Sequence, residues 1–236
     1  MAEESHKKRA DSGFVRLNER DLLAFEWIFN MGAIFEIDIQ FMVSPKRSLS
    51  RNAVRSVVRR WEKAGVVQAD PVLAGEGRLV RLTAEGALLV SDDTAGGLLA
   101  MAETPTRAVR QALASRVRLR IERSGVSTLR AHGWVSERQW RLENAATVTA
   151  GDHVPHGIAL LDGGVAAMVH VTRTAVELNR LRLLLAEIHR RYPFVIVAVP
   201  ADLTDVTRLL AIASADKAAG SAGSAGSATR LEVIRF

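Results

Sequence analysis

The stretch from Ser48 to Gly65, SLSRNAVRSVVRRWEKAG, decides how the first third of the chain is read. Val54, Val57, Val58 and Trp61 recur at helical spacing and make one apolar stripe. Arg51, Arg55 and Arg59 stand four apart on the other side, with Asn52 and Ser56 beside them. Ser48 or Ser50 supplies an N-cap, because a short hydroxyl side chain accepts hydrogen bonds from the open amides of a first turn. The spacing therefore predicts a helix beginning near Ser48, running to Ala64 and stopped by Gly65. Its charge is concentrated. Between Ser44 and Lys63 stand Lys46, Arg47, Arg51, Arg55, Arg59, Arg60 and Lys63 against one acid, Glu62, an excess of six that equals the formal +6 of all 236 residues.

Towards the N-terminus, Asn18 followed by Asp21 is a capping-box pattern. It opens a helix with Leu22, Leu23, Phe25, Trp27 and Ile28 on its apolar face, Phe29 behind it and Gly32 as its stop. A short second helix, Glu36 to Met42, carries Ile37, Ile39 and Phe41, and Pro45 turns the chain. Towards the C-terminus, Val66 and Val67 begin a strand, Gly75 and Gly77 form a hairpin tip, and LVRL at 79–82 returns. Thr83 caps a closing helix, Ala84 to Val90. Three helices followed by a hairpin predict a winged helix-turn-helix over 14–92, preceded by a polar tail at 1–13 that is expected to be disordered and not a secretory signal.

In such a domain the charged helix enters the major groove of double-stranded DNA. Arginine can bond guanine bidentately and asparagine adenine, which assigns base reading to Arg51, Asn52, Arg55, Ser56 and Arg59. Lys46, Arg47, Ser48 and Ser50 sit where a helix N-terminus favours phosphate. Arg78 and Arg81 on the wing either touch the backbone or minor groove or simply occupy an exposed strand face. The competing reading of the whole stretch is a solvated basic face on a structural helix.

A linker is expected at 93–105, then an α/β domain at 106–236 with a mixed sheet. An arginine-rich helix spans Arg107 to Arg123, either exposed, a dimerisation arm, or an extension of the basic footprint. Trp134 to Leu142 reads as a short amphipathic segment or strand. Strands at Ile158 to Leu161 and Val165 to Val171 are joined by Asp162-Gly163-Gly164, a strong hairpin signal. A helix from Ala175 to Arg191 turns Val176, Leu178, Leu181, Leu184, Leu185 and Ile188 inward. FVIVAV at 194–199 suits a central buried strand, Asp202 to Ala213 a helix, and Leu231 to Ile234 a last strand. The Gly/Ser-rich 218–228 reads as a flexible loop.

Composition excludes several classes. A hydrophobic share of 48% supports packed cores, against wholesale disorder. The absence of cysteine rules out disulfides and thiol chemistry and fits a reducing cytoplasm. No apolar run reaches the roughly 18 residues of a membrane span. Walker A, G-x-G-x-x-G and G-x-S-x-G patterns are lacking, so no cofactor is expected.

The pattern from Leu17 to Pro200 resembles the replication-relaxation family of actinobacterial plasmids and phages. The likeness is carried by LNERD at 17–21, AVRSVVRRWEKAG at 53–65, LTAEG at 82–86, WVSE at 134–137, VPHG at 154–157, and Val169 to Thr174 before a long helix. The resemblance implies a second domain related to restriction-endonuclease folds, whose motif is an early Glu, then Pro-Asp-Gly, then a strand bearing Glu and a further polar residue. Glu137 matches the first position and Pro155 and Gly157 frame the second, but His156 stands at the aspartate, His170 at the strand acid and Thr172 at the polar position. Cleavage with a hard cation needs clustered carboxylates, so this domain is expected to be nuclease-like but inactive.

The resulting expectation is a nucleoid-associated, sequence-specific DNA-binding protein, a repressor-type regulator of a mobile element. It would act as a homodimer on a palindrome or as a monomer with a second DNA contact. The alternatives are a plasmid replication or conjugation accessory factor, a protein-interaction module, or a metal-dependent nuclease holding its ion through His156 and His170. In a regular strand His153 would face away from His156.

Overall fold

The structure, a computed structural model, describes residues 16–72, 77–91, 104–147, 153–203 and 229–236. The expected tail at 1–13, the hairpin-tip Gly75, residues 93–103 of the linker expected at 93–105, residues 204–213 of the helix expected at 202–213 and the loop at 218–228 lie outside them. Contacts divide the chain into one unit of Met1–Phe29 with Phe35–Ala102 and a second of Asn30–Ile34 with Glu103–Phe236. Among the described residues the fold is mixed α and β, with seven α-helices and two sheets.

Up to Leu88 the elements are α1 (Glu19–Met31), β1 (Ile34–Phe35), a 3-10 turn (Glu36–Ile39) running into α2 (Gln40–Val43), α3 (Arg51–Lys63), β2 (Val67–Pro71), β3 (Arg78–Leu82) and α4 (Ala84–Leu88), all in the first unit save Asn30, Met31 and Ile34. The expected second helix is thus half 3-10. The capping box of α1 closes reciprocally: the Asn18 amide donates to Asp21 Oδ2 at 2.9 Å and the Asp21 amide to Asn18 Oδ1 at 3.1 Å. Phe25, Ile28, Ile39, Val54, Val58, Trp61 and Val80 are buried, and Phe25 meets Trp61 edge-on with ring centroids 5.0 Å apart. Leu22 and Leu23 are instead exposed. The inward position one turn before Phe25 and Ile28 belongs to Asp21, whose carboxylate is satisfied by hydrogen bonds. The sheet has the order β1-β3-β2, with β2 and β3 antiparallel.

The second unit contains α5 (Pro105–Ser124), β4 (Ala131–Ser136), α6 (Glu137–Glu143), β5 (Gly157–Leu161), β6 (Val165–Val171), α7 (Ala175–Arg191), β7 (Phe194–Val199) and β8 (Arg230–Arg235). Its sheet runs β4-β5-β6-β7-β8 and is mixed: β4, β5 and β6 pair antiparallel, and β7 pairs parallel with both β6 and β8. Gly163 and Gly164 take the left-handed φ of 75° and 74° that the tight turn between β5 and β6 requires. Every residue of β7 is buried, as its unbroken apolar run requires. Met168, Val195, Val197 and Val199 pack with Leu178, Leu181, Leu185 and Ile188 of α7.

Three expectations change. The segment predicted as one element at 134–142 is a strand and a helix, because the Ser136 hydroxyl accepts from the Gln139 amide at 3.2 Å and starts α6. Val176 is not inward but 75% exposed in the first turn of α7. α5 is also no exposed arm: Ala108, Ala112, Val117 and Ile121 are fully buried, and it packs on β4, β5 and β6.

Candidate nucleic-acid interface

α3 takes its start from Ser50, whose hydroxyl accepts from the Ala53 amide at 3.2 Å; Ser48 lies two residues before the cap and is exposed. The helix therefore begins at Arg51, so that of the two expected caps, Ser48 and Ser50, it is Ser50 that serves. Val54, Val58 and Trp61 are fully buried, while Arg51, Asn52, Arg55, Ser56, Arg59 and Lys63 are exposed. Lys46, Arg47 and Ser48 are exposed on the turn before it. Ser56 spends its proton on the Asn52 carbonyl at 2.9 Å, so it is left as an acceptor.

The basic residues of this segment separate into two groups. Arg60 pairs with the buried carboxylate of Asp21, which also accepts from Trp61 Nε1 at 2.9 Å. Lys46, Arg47, Arg51, Arg55, Arg59 and Lys63 form no ion pair among the described residues. The wing arginines are bound inside the unit. Arg78 reaches Glu36 at 2.6 Å and Glu62 at 2.8 Å, and these carboxylates raise its pKa against the opposing effect of burial. Arg81 pairs with Asp70 across the hairpin. The alternative of a free, exposed strand face does not hold for them: these pairs tie β3 to its neighbours. The signal was Glu36, Glu62 and Asp70, whose pairing depends on long-range folding.

In the second unit the residues singled out by the nuclease-like pattern converge. Glu137, His156 and His170 line one cavity of about 540 Å³, joined by His153, Arg107, Arg110 and Arg141. Thr172 is fully buried beside it in sequence, with its amide donating to the Ala198 carbonyl at 2.9 Å. His153 does not face away from His156. Residues 153–156 are not a regular strand, and all three rings gather: His156 and His170 centroids are 4.7 Å apart, His153 and His170 4.9 Å. His153 Nε2 lies 3.3 Å from His170 Nδ1. His156 Nδ1 accepts from the Val171 amide at 2.8 Å, which places its proton on Nε2.

Burial, then the positive charges of Arg110 and Arg141 and neighbouring His153, pushes the His156 pKa down to about 3. Burial and the neighbouring imidazoles hold His170 well below its ordinary value. Burial also lowers His153, against the pull of Glu187. Among the described residues no group of three or more His, Asp or Glu side chains is arranged to hold a metal ion. No helix among them is long and apolar enough to cross a membrane. No protein-family model matches the chain, and no curated protein matches it.

Proposed function

We propose that the first unit is a winged helix-turn-helix that binds double-stranded DNA in a sequence-specific way, and that the protein is a regulator of a mobile element of the replication-relaxation type. The observation that carries this reading is the outer side of α3. Six cationic side chains there and on the preceding turn form no ion pair among the described residues, on a helix whose other side buries Val54, Val58 and Trp61. A purely solvated structural helix gains nothing from leaving six like charges together, whereas phosphate neutralises them and releases counterions. The element order α1-β1-α2-α3-β2-β3 supports the same reading. Base reading falls to Arg51, Asn52, Arg55 and Arg59, and backbone positioning to Lys46, Arg47 and Lys63.

Selection of bound duplexes from a random pool tests this directly. A defined site is expected, and its symmetry reports whether one or two chains bind. Retention of specific binding by the Arg51→Ala, Arg55→Ala double variant, with the fold intact by circular dichroism, would remove α3 from the reading. Imidazoles at two of the acid positions leave the second unit without the hard oxygen ligands of metal-assisted cleavage, so supercoiled plasmid is expected to remain intact with Mg²⁺, Mn²⁺ or Zn²⁺.

A further inference from the structure

We propose that the cavity of the second unit is a binding site for a small phosphate monoester. Its volume, about 540 Å³, is that of a small-molecule site. Its charged lining is three arginines against two carboxylates, Glu137 and Glu187, and Glu137 is already engaged by Arg141 at 2.8 Å and Arg107 at 3.5 Å. α5 contributes Arg107 and Arg110, α6 contributes Arg141, and the 153–156 segment contributes His156. Each guanidinium carries five N–H groups, and the carboxylate contacts use few of them. Arg141 donates Nε to Glu137 at 2.8 Å, and Arg110 donates Nη2 to Glu177 at 3.1 Å. Those contacts fix the arginines in place without exhausting them. Arg110 Nε is buried with no acceptor, so this lining guanidinium carries an unmet donor that a shift of its side chain onto an oxyanion would satisfy.

The imidazoles add to this. His156 accepts from the Val171 amide through Nδ1, so its Nε2 is held as a neutral donor, and only 8% of the residue is exposed. The donors come from three separate elements, α5, α6 and the 153–156 segment. They suit the three terminal oxygens of a phosphate monoester better than the two in-plane oxygens of a carboxylate. A cation is the opposite case. Arg107, Arg110 and Arg141 outnumber Glu137 and Glu187 in the lining, Glu137 is held by Arg141, and one nitrogen of His156 is already occupied. Duplex DNA is disfavoured by position, since a nearly buried imidazole is reached by a group that enters the cavity and not by a phosphate on a convex surface. This site is independent of the DNA-binding reading, and either can fail alone.

Titration calorimetry of the full chain with inorganic phosphate and with a nucleoside 5′-monophosphate tests the proposal. Saturable binding is expected, with the monophosphate at least as tight, and a loss of about 10-fold or more in the Arg110→Gln, Arg141→Gln variant. Should that variant unfold, the unmutated protein serves: the imidazole Nε2 signal of His156 should shift on phosphate addition while that of His132 stays put. Absence of heat and of a shift at millimolar phosphate overturns the proposal, as does unchanged affinity in a folded variant. Micromolar Zn²⁺ binding that excludes phosphate, or displacement of phosphate by duplex DNA, overturns it in favour of those ligands.

Discussion

Asp21 shows how one residue serves two structures. Its carboxylate caps α1 locally through the Asn18 amide and joins α3 through Trp61 Nε1 and Arg60, with 1% of the residue exposed. Asp21→Ala leaves the indole N–H of a fully buried Trp61 without an acceptor and removes the capping box. Each loss costs on the order of 1–2 kcal/mol, and a fall of about 3 kcal/mol in unfolding free energy is expected by urea titration. A change under about 1 kcal/mol would mean that water replaces the carboxylate. The local half of this role was legible in Asn18 and Asp21. The other half was not, because a partner 40 positions away leaves no periodic trace.

Gly86 is a second case, since its place in the LTAEG stretch has a steric cause. Its amide donates to the capping hydroxyl of Thr83 at 3.1 Å, and a Cβ added there would stand 1.9 Å from the Val66 carbonyl oxygen. That oxygen accepts from the Thr83 amide, so the obstacle is hydrogen-bonded backbone and cannot swing aside. Gly86→Ala is expected to destabilise by roughly 1–3 kcal/mol, with the melting temperature as readout; an unchanged value would show that α4 shifts freely.

At the scale of the element, α3 was read well because its signals are local: a hydroxyl cap, an apolar stripe at helical spacing and a glycine stop. The same holds for α7, whose bounds match, and for β7, whose apolar run needs no alternation to be recognised. The segment 134–142, expected as one element, divides into the end of β4 and α6 because elements this short give no full helical period. Only the Ser136 cap separates strand from helix. Charge was legible in amount but not in availability. Arg60 counts with the others in the sequence, yet Asp21 consumes it, while Arg55 keeps its charge for a ligand. Arg55→Gln is therefore expected to weaken DNA binding and, if Arg55 meets phosphate, to lower the salt slope by about one unit; a base contact instead relaxes sequence preference at one position. Binding measured between 50 and 200 mM salt on selected and scrambled duplexes separates the two. Arg60→Gln should lower stability more than it changes the slope.

Across the molecule, titration is distributed unevenly. The described residues of the first unit contain no histidine, whereas the second groups His156, which is buried, with the half-buried His153 and His170, and burial lowers the pKa of all three. A histidine with a depressed folded pKa binds more protons when unfolded. Its contribution is intact above the unfolded value near 6.5 and is lost as pH falls towards the folded value, about 3 for His156. Within that window each such group contributes a slope of up to about 1.4 kcal/mol per pH unit. The first unit responds later. Burial tends to raise the Asp70 pKa, but hydrogen bonds from Arg81 and Gln68 outweigh it and hold the group below 3.8, so its contribution survives until pH falls past that value. Calorimetry of the full chain from pH 7 to pH 4.5 should thus show the second unit's unfolding moving to lower temperature while the first unit's stays nearly fixed. His156→Gln keeps an acceptor for the Val171 amide and removes one titrating group, so it should flatten that dependence. An equally steep curve in the variant would place the acid sensitivity elsewhere. Added phosphate should also flatten it, because an oxyanion beside the three rings favours their protonated forms and offsets the burial that opposes them.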